Sequence, residues 1–162
     1  MIILGIDPGL ATVGYGVIEK SPRGIKAIGY GVITTPPSED TPVRLAQIAE
    51  GISRLISEYR PDAVVVEELF FNTNITTGIK VAEARGVILY RAALECGNLF
   101  EYTPLQVKSA LTGNGRADKK QVQFMVRAAL GLTEIPKPDD AADALAIAIC
   151  HANMSEHGHR RA

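Results

Sequence analysis

The sequence predicts an α/β fold: a five-stranded mixed sheet, three antiparallel strands followed by two parallel ones, with helices on both faces. Three observations predict it. The first third reads as three apolar strands joined by turns too short for anything but antiparallel neighbours. The remainder alternates helical and strand periodicity, the pattern of parallel strands joined by crossover helices. The chain has 162 residues, 46% of them apolar and 22% charged. That is one domain's worth, able to bury roughly 70% of its unfolded surface without disulfides or a structural metal.

Each element has its own signal. Met1–Asp7 is an apolar run stopped by the turn residues Pro8-Gly9. Thr12–Glu19 alternates around Val13, Tyr15 and Val17, and after the turn Ser21-Pro22-Arg23-Gly24 the strand Ile25–Thr34 returns. Thr41 is the expected N-cap of a first helix, with Pro42 at its first helical position. Leu45, Ile48, Ile52, Leu55 and Tyr59 then recur at helical spacing. Ala63–Val66 is a short, fully apolar strand running into Glu67-Glu68. A loop over Leu69–Asn74 leads to a long helix over Thr76–Glu95, with Gly97 placed to end it. Leu99–Tyr102 is the fifth strand. Thr103-Pro104 opens a short helix to Leu111, Asp118–Leu130 forms another, and a last helix runs from Pro138 to Met154. The domain is expected to span residues 1–155, with 156–162 as a disordered tail.

Composition excludes several function classes. A net charge of −1 argues against disorder, and no apolar run approaches the length of a membrane span. The opening residues lack the basic start and cleavage site of a secretory signal. Cys96 and Cys150 have no CxxC partner and suit a reducing compartment. The expected location is therefore the cytoplasm. His151, His157 and His159 straddle a helix end and the tail, with no acidic or cysteine partner, so no metal site is expected there. Charge is unevenly spread. Between Gln106 and Arg127 stand Lys108, Arg116, Lys119, Lys120 and Arg127 against Asp118 alone, a window of +4, leaving −5 elsewhere. Such a basic segment beside an acidic remainder suits a phosphate-binding surface around a metal site.

The acidic residues carry the chemistry. Asp7 ends the first strand, and Glu67 and Glu68 end the fourth. Strand alternation sends those two glutamates to opposite faces, so only one of them joins Asp7. In the last helix Asp140 and Asp143 share a face at i, i+3, and Asp139 and Asp143 share one at i, i+4. Spacing alone does not choose between Asp139 and Asp140. Gathered carboxylates repel one another and need a cation or a shared proton. All-oxygen sites suit magnesium or manganese, and paired ions of this kind assist phosphodiester cleavage. The turn Gly5-Ile6-Asp7-Pro8-Gly9 also fits the phosphate loop of two-lobed sugar kinases and ATPases, but 162 residues do not supply two lobes.

A wider set of segments is more specific. Gly5-Ile6-Asp7-Pro8-Gly9, Gly14-Tyr15-Gly16-Val17-Ile18, Val66-Glu67-Glu68-Leu69-Phe70-Phe71, Ala84-Arg85-Gly86-Val87, Gln106-Val107-Lys108 and Asp140-Ala141-Ala142-Asp143-Ala144-Leu145-Ala146-Ile147-Ala148 occur in this order. Together they closely resemble the RuvC family of bacterial Holliday junction resolvases, from about residue 1 to 155. The resemblance implies a ribonuclease H-like fold and a homodimeric, magnesium-dependent endonuclease, with manganese as a possible substitute. It would make paired, symmetric nicks in four-way DNA junctions during recombination and repair. It implies Asp7, Glu67, Asp140 and Asp143 as catalytic, metal-holding acids, and leaves Glu68 and Asp139 outside the set. It implies Lys108 and Lys119 as active-site and phosphate-contacting lysines, with Lys120 and Arg116 alongside on DNA. Phe70 matches an aromatic that stacks on an unpaired base, the long helix after Thr76 matches the dimer element, and the RuvA–RuvB branch-migration complex is the implied partner.

Overall fold

The computed structural model describes residues 1–69 and 75–155. Its elements run β1 (Ile2–Asp7), β2 (Thr12–Ser21), β3 (Gly24–Thr34), α1 (Thr41–Tyr59), β4 (Ala63–Glu67), α2 (Ile75–Glu95), β5 (Leu99–Tyr102), α3 (Pro104–Thr112), α4 (Lys119–Ala129) and α5 (Asp139–Met154). The five strands form one sheet in the order β3-β2-β1-β4-β5. β1–β2 and β2–β3 are antiparallel, and β1–β4 and β4–β5 are parallel. The predicted mixed sheet is therefore the observed one. Among the described residues, no helix is long and apolar enough to cross a membrane.

Strand alternation divides the core into two layers. Leu4, Ile6, Val13, Val17, Val64 and Val66 point to one face and pack with Ile48 and Ile52 of α1 and Ala84, Ile88 and Ala92 of α2. Ile3, Ile18 and Val65 point to the other face, against α3, α4 and α5. The second face carries Asp7 and Glu67, because they follow Ile3 and Val65 at even spacing.

Helix α5 is central to that second face and is buried along almost its whole length. It lies very close to the sheet. A Cβ on Gly5 would stand 2.2 Å from the Ala144 carbonyl oxygen, and one on Gly14 would stand 2.0 Å from the Asp140 carbonyl oxygen. One on Gly16 would meet Leu145 at 2.7 Å. The side-chain-free stripe of β1 and β2 is the groove in which α5 rests. Near the far end of α5, the buried His151 holds its Nδ1 3.0 Å from the Tyr102 hydroxyl and stacks beside Phe100. Burial and the nearby Lys20 hold His151 down at about 4, so it is neutral near pH 7.

Most expected boundaries shift by a residue or two. Thr103 forms a full capping box with Gln106, and Pro104 opens α3. Asp118 forms a second box with Gln121. Thr41 is not the cap of α1: Asp40 is extended, and helical geometry begins at Thr41 itself. Asp40 caps with its backbone carbonyl, accepting from Arg44 N–H, and makes no side-chain cap bond. Gly97 ends α2 in the left-handed region, with its N–H donating to the Ala92 carbonyl.

The close seat of α5 makes a prediction. Gly5→Ala should destabilise the fold by about 1–3 kcal/mol, because the new methyl meets backbone rather than a side chain able to turn away. A lowered urea midpoint at unchanged slope would show it; an unchanged midpoint would mean that α5 moves at no cost.

Candidate metal centre and phosphate cleft

Two parallel strands and one helix terminus build the site. In the β1–β4 ladder Ile6 pairs with Val66, so the next residues, Asp7 and Glu67, leave the sheet side by side on the α5 face. Register thereby chooses Glu67 over Glu68. Glu68 follows Val66 onto the other side, where its charge acts on Arg85, and its N–H extends the ladder to the Tyr102 carbonyl. Asp139 and Asp140 open α5, and Asp143 follows one turn later.

Asp7, Asp140 and Asp143 offer carboxylate oxygens that lie within 4.8 Å of one another, close enough to hold a metal ion. The structure thus brings Asp140 rather than Asp139 to Asp7. Glu67 lines the same cleft beside Asp7 and Asp143, with Lys108, Lys119 and the apolar walls Pro104, Val107, Val122 and Ala146.

The electrostatics are those of a cluster short of positive charge. Burial, then Glu67, Asp143 and Asp140, push the Asp7 carboxyl up to about 8, with Lys119 opposing. Burial and Asp143 push Glu67 to about 7 against Lys108. Burial also raises Asp143, and Lys119 offsets part of that rise. Lys119 has its Nζ 3.4 Å from both Asp143 and Asp139. Burial draws its pKa down, but those two carboxylates outweigh burial and raise it above the ordinary lysine value. A set of half-buried carboxylate oxygens with too few cations is the donor chemistry of a hard divalent ion.

The remaining predicted residues are placed differently. Arg116 is exposed in the turn before α4, its N–H bonded to Asn114. Lys120 leaves α4 away from the acids and lines a second groove with Asn114, Gln121 and Phe124. Phe70 and Phe71 lie outside the described residues, as do His157 and His159. Cys150 is buried, and the half-buried Cys96 thiol donates to the Pro61 carbonyl.

Sequence reasoning assigned no role to Arg85, although it stands in a quoted motif. It reaches from α2 to donate from Nε to the Glu67 carbonyl at 3.0 Å, and it pairs with Glu101 of β5. An arginine thus fixes the backbone that carries Glu67. Gln123, buried on α4, was also missed: its amide donates to Asp139 at 3.1 Å. Gln123 has a weak sequence signal, a polar residue between Val122 and Phe124 at a buried helix position; Arg85 has none.

The chain matches the family described as crossover junction endodeoxyribonuclease RuvC over residues 3–151. A crossover junction endodeoxyribonuclease RuvC from Rubrobacter xylanophilus is 60% identical over 154 residues, covering 93% of this chain and 84% of the relative. The solved RuvC of Thermus thermophilus superposes with a TM-score of 0.91 at 38% identity, over 99% of both chains. A T. thermophilus RuvC in complex with Holliday junction substrate superposes at 0.89 and 36%, again over 99% of both. A family match across nearly all the chain, at this identity and with the same fold, shows that the chain belongs to the RuvC family of crossover junction endodeoxyribonucleases.

Proposed function

We propose that this chain resolves four-way DNA junctions by metal-assisted hydrolysis, nicking two strands of like polarity symmetrically to leave 5′-phosphate and 3′-hydroxyl ends. The observation that carries this reading is the convergence of Asp7, Asp140 and Asp143 at a cleft lined by Asp7, Glu67, Asp143, Lys108 and Lys119. The T. thermophilus relative in complex with a Holliday junction supports the choice of substrate.

Asp7, Glu67, Asp140 and Asp143 would hold one or two magnesium ions, with manganese as a substitute. Such ions lower the pKa of water and stabilise the leaving oxygen of a phosphodiester. The chain's own residues do the rest. The three strand and helix ends hold the carboxylates in place before the ion arrives, so little reorganisation accompanies binding. Lys108 and Lys119 stand at the cleft wall, where an ammonium steadies phosphate oxygens and the charge that develops on them. Pro104, Val107, Val122 and Ala146 keep that wall apolar, which strengthens these charge interactions. Arg116 and Lys120 lie outside the cleft and suit the backbone phosphates of a junction arm. A stacking role for Phe70 at the crossover, implied by the resemblance, is part of the same reading.

Paired nicks require paired sites. Helix α2 buries only Ala84, Ile88 and Ala92 and leaves Ile75, Ile79, Tyr90 and Leu94 exposed. A Cβ on Gly86 would meet nothing within 4 Å. An apolar face of this kind fits a second copy, and a two-fold dimer would match the symmetry of the junction. The RuvA–RuvB complex as partner and the cytoplasm as compartment belong to the same proposal.

The first test is incubation of a synthetic four-way junction, a matched duplex and an RNA–DNA hybrid with protein and magnesium, followed by a denaturing gel. Paired symmetric nicks in the junction alone are expected. Tight binding without nicks would mark a non-catalytic junction module, and cleavage of the hybrid an RNA-directed nuclease. Asp7→Asn and Asp143→Asn should each lower cleavage by about 10²–10³-fold or more, with junction binding in calcium retained; loss of both together would mean a folding role.

Without divalent ions the raised carboxyls also set a pH response. Unfolded Asp7 releases its proton near 3.8, but the folded group keeps it to about 8. Between those values the folded state binds more protons, so stability falls as pH rises. In EDTA the melting temperature of the wild type should fall between pH 5 and 8 relative to Asp7→Asn, by several degrees at about 2–4 °C per kcal/mol. Parallel melting curves for the two proteins would contradict the shift.

A further inference from the structure

Among the acids at the head of α5, Asp139 is the one that does not join the others. One helical residue is about 100° of rotation, and that turns Asp139 from the sheet toward α4. Its carboxylate is held on both sides. Oδ1 accepts from Gln123 Nε2 at 3.1 Å and lies 3.5 Å from Lys137 Nζ. Oδ2 faces Lys119 Nζ at 3.4 Å. Gln123 is 8% exposed, so packing fixes its amide and, through it, the carboxylate. The same Lys119 Nζ is 3.4 Å from Asp143 Oδ2. One ammonium therefore sits between a carboxylate that belongs to the acid cluster and one that does not.

A divalent cation bound by Asp143 and the ammonium of Lys119 repel one another at this range, which favours moving the lysine off Asp143. Among the described residues, Asp139 is the other acid within ion-pair distance of Lys119. We propose that Asp139, anchored by Gln123, is a positioning residue that receives Lys119 when Asp143 takes up a divalent ion. The lysine then leaves the ion's coordination space yet stays at the cleft wall, where a scissile phosphate would lie. With no such receiver, Lys119 remains on Asp143 and competes with the ion. The Gln123 bond has a second effect: it keeps Asp139 turned from the cluster, so that it stays a receiver rather than becoming a ligand.

This inference deepens the reading of the acids as a metal centre and rests on it. The test is a mutant cycle on the full chain without DNA, reading Mn²⁺ affinity from the loss of the free-ion EPR signal. Asp139→Asn should weaken Mn²⁺ binding by about 5–10-fold. Lys119→Met should not weaken it, since the competitor is gone. In the Lys119→Met background, Asp139→Asn should change affinity less than about twofold, because the coupling runs through the lysine. Gln123→Met leaves every charge in place but removes the anchor, and should reproduce part of the Asp139→Asn loss. An equal effect of Asp139→Asn in both backgrounds would overturn the proposal, since Asp139 would then act only as a nearby negative charge. An unchanged affinity in Asp139→Asn would overturn it as well. Asp7→Asn serves as the separate check: if it leaves Mn²⁺ binding intact, the metal-centre reading itself fails, whatever Asp139 does.

Discussion

Everything at the site depends on how closely α5 lies on the sheet. Gly5, Gly14 and Gly16 leave no Cβ on the strip of β1 and β2 beneath the helix. Alanines on α5, including Ala144 and Ala148, meet that strip with the smallest possible side chains. A short carboxylate such as aspartate reaches only a few ångström from its backbone. With ordinary side chains between the layers, Asp140 and Asp143 would not come within 4.8 Å of Asp7, as they do. Packing and chemistry are thus one constraint, and the glycines that look like weak points in a strand are what makes the helix and β1 share a site.

The fold then works against itself at that point. Carboxyls are partly withdrawn from water and pressed together, and both burial and mutual repulsion push Asp7, Glu67 and Asp143 upward. Two features contain the repulsion. Lys119 supplies one local positive charge, and Arg85 with Glu101 ties the end of β4 to α2 and β5. Neither neutralises the cluster, so the arrangement stays short of cations until one arrives. Stability is given up locally in exchange for readiness, as is general for sites that bind charge.

The fold was legible where local chemistry decides structure. Thr103-Pro104 marked the start of α3 and Gly97 the end of α2, because a residue and its own next turn are enough, while the capping boxes that Thr103 and Asp118 form came only with the structure. The antiparallel pairing of the first three strands followed from connection length; the order β3-β2-β1-β4-β5 did not. A threonine before proline suits the cap and the first helical position equally, and only the backbone shows that Asp40 holds the cap of α1 and Thr41 begins it. The site was legible as a set of acids but not as a geometry. Nothing in the chain between Asp7 and Glu67 tells which residues of β1 and β4 pair, and that register alone turns Glu67 inward. Asp139 and Asp140 differ by one helical step, and only the position of α4 separates them. Arg85 and Gln123 act on residues 18 and 16 positions away; such contacts leave no trace in spacing.

Helix α5 has two unlike ends. Its first turns carry Asp140 and Asp143 of the acid cluster, while its last turn carries His151, neutral and hydrogen-bonded to Tyr102 inside the apolar layer. An imidazole that does not titrate near neutrality is a fixed reference. Its ring resonances should sense only whether α5 is seated on β5. The protein therefore contains a native spectroscopic marker, on the same helix as the clustered acids, that separates a change at the cleft from a loosening of the core.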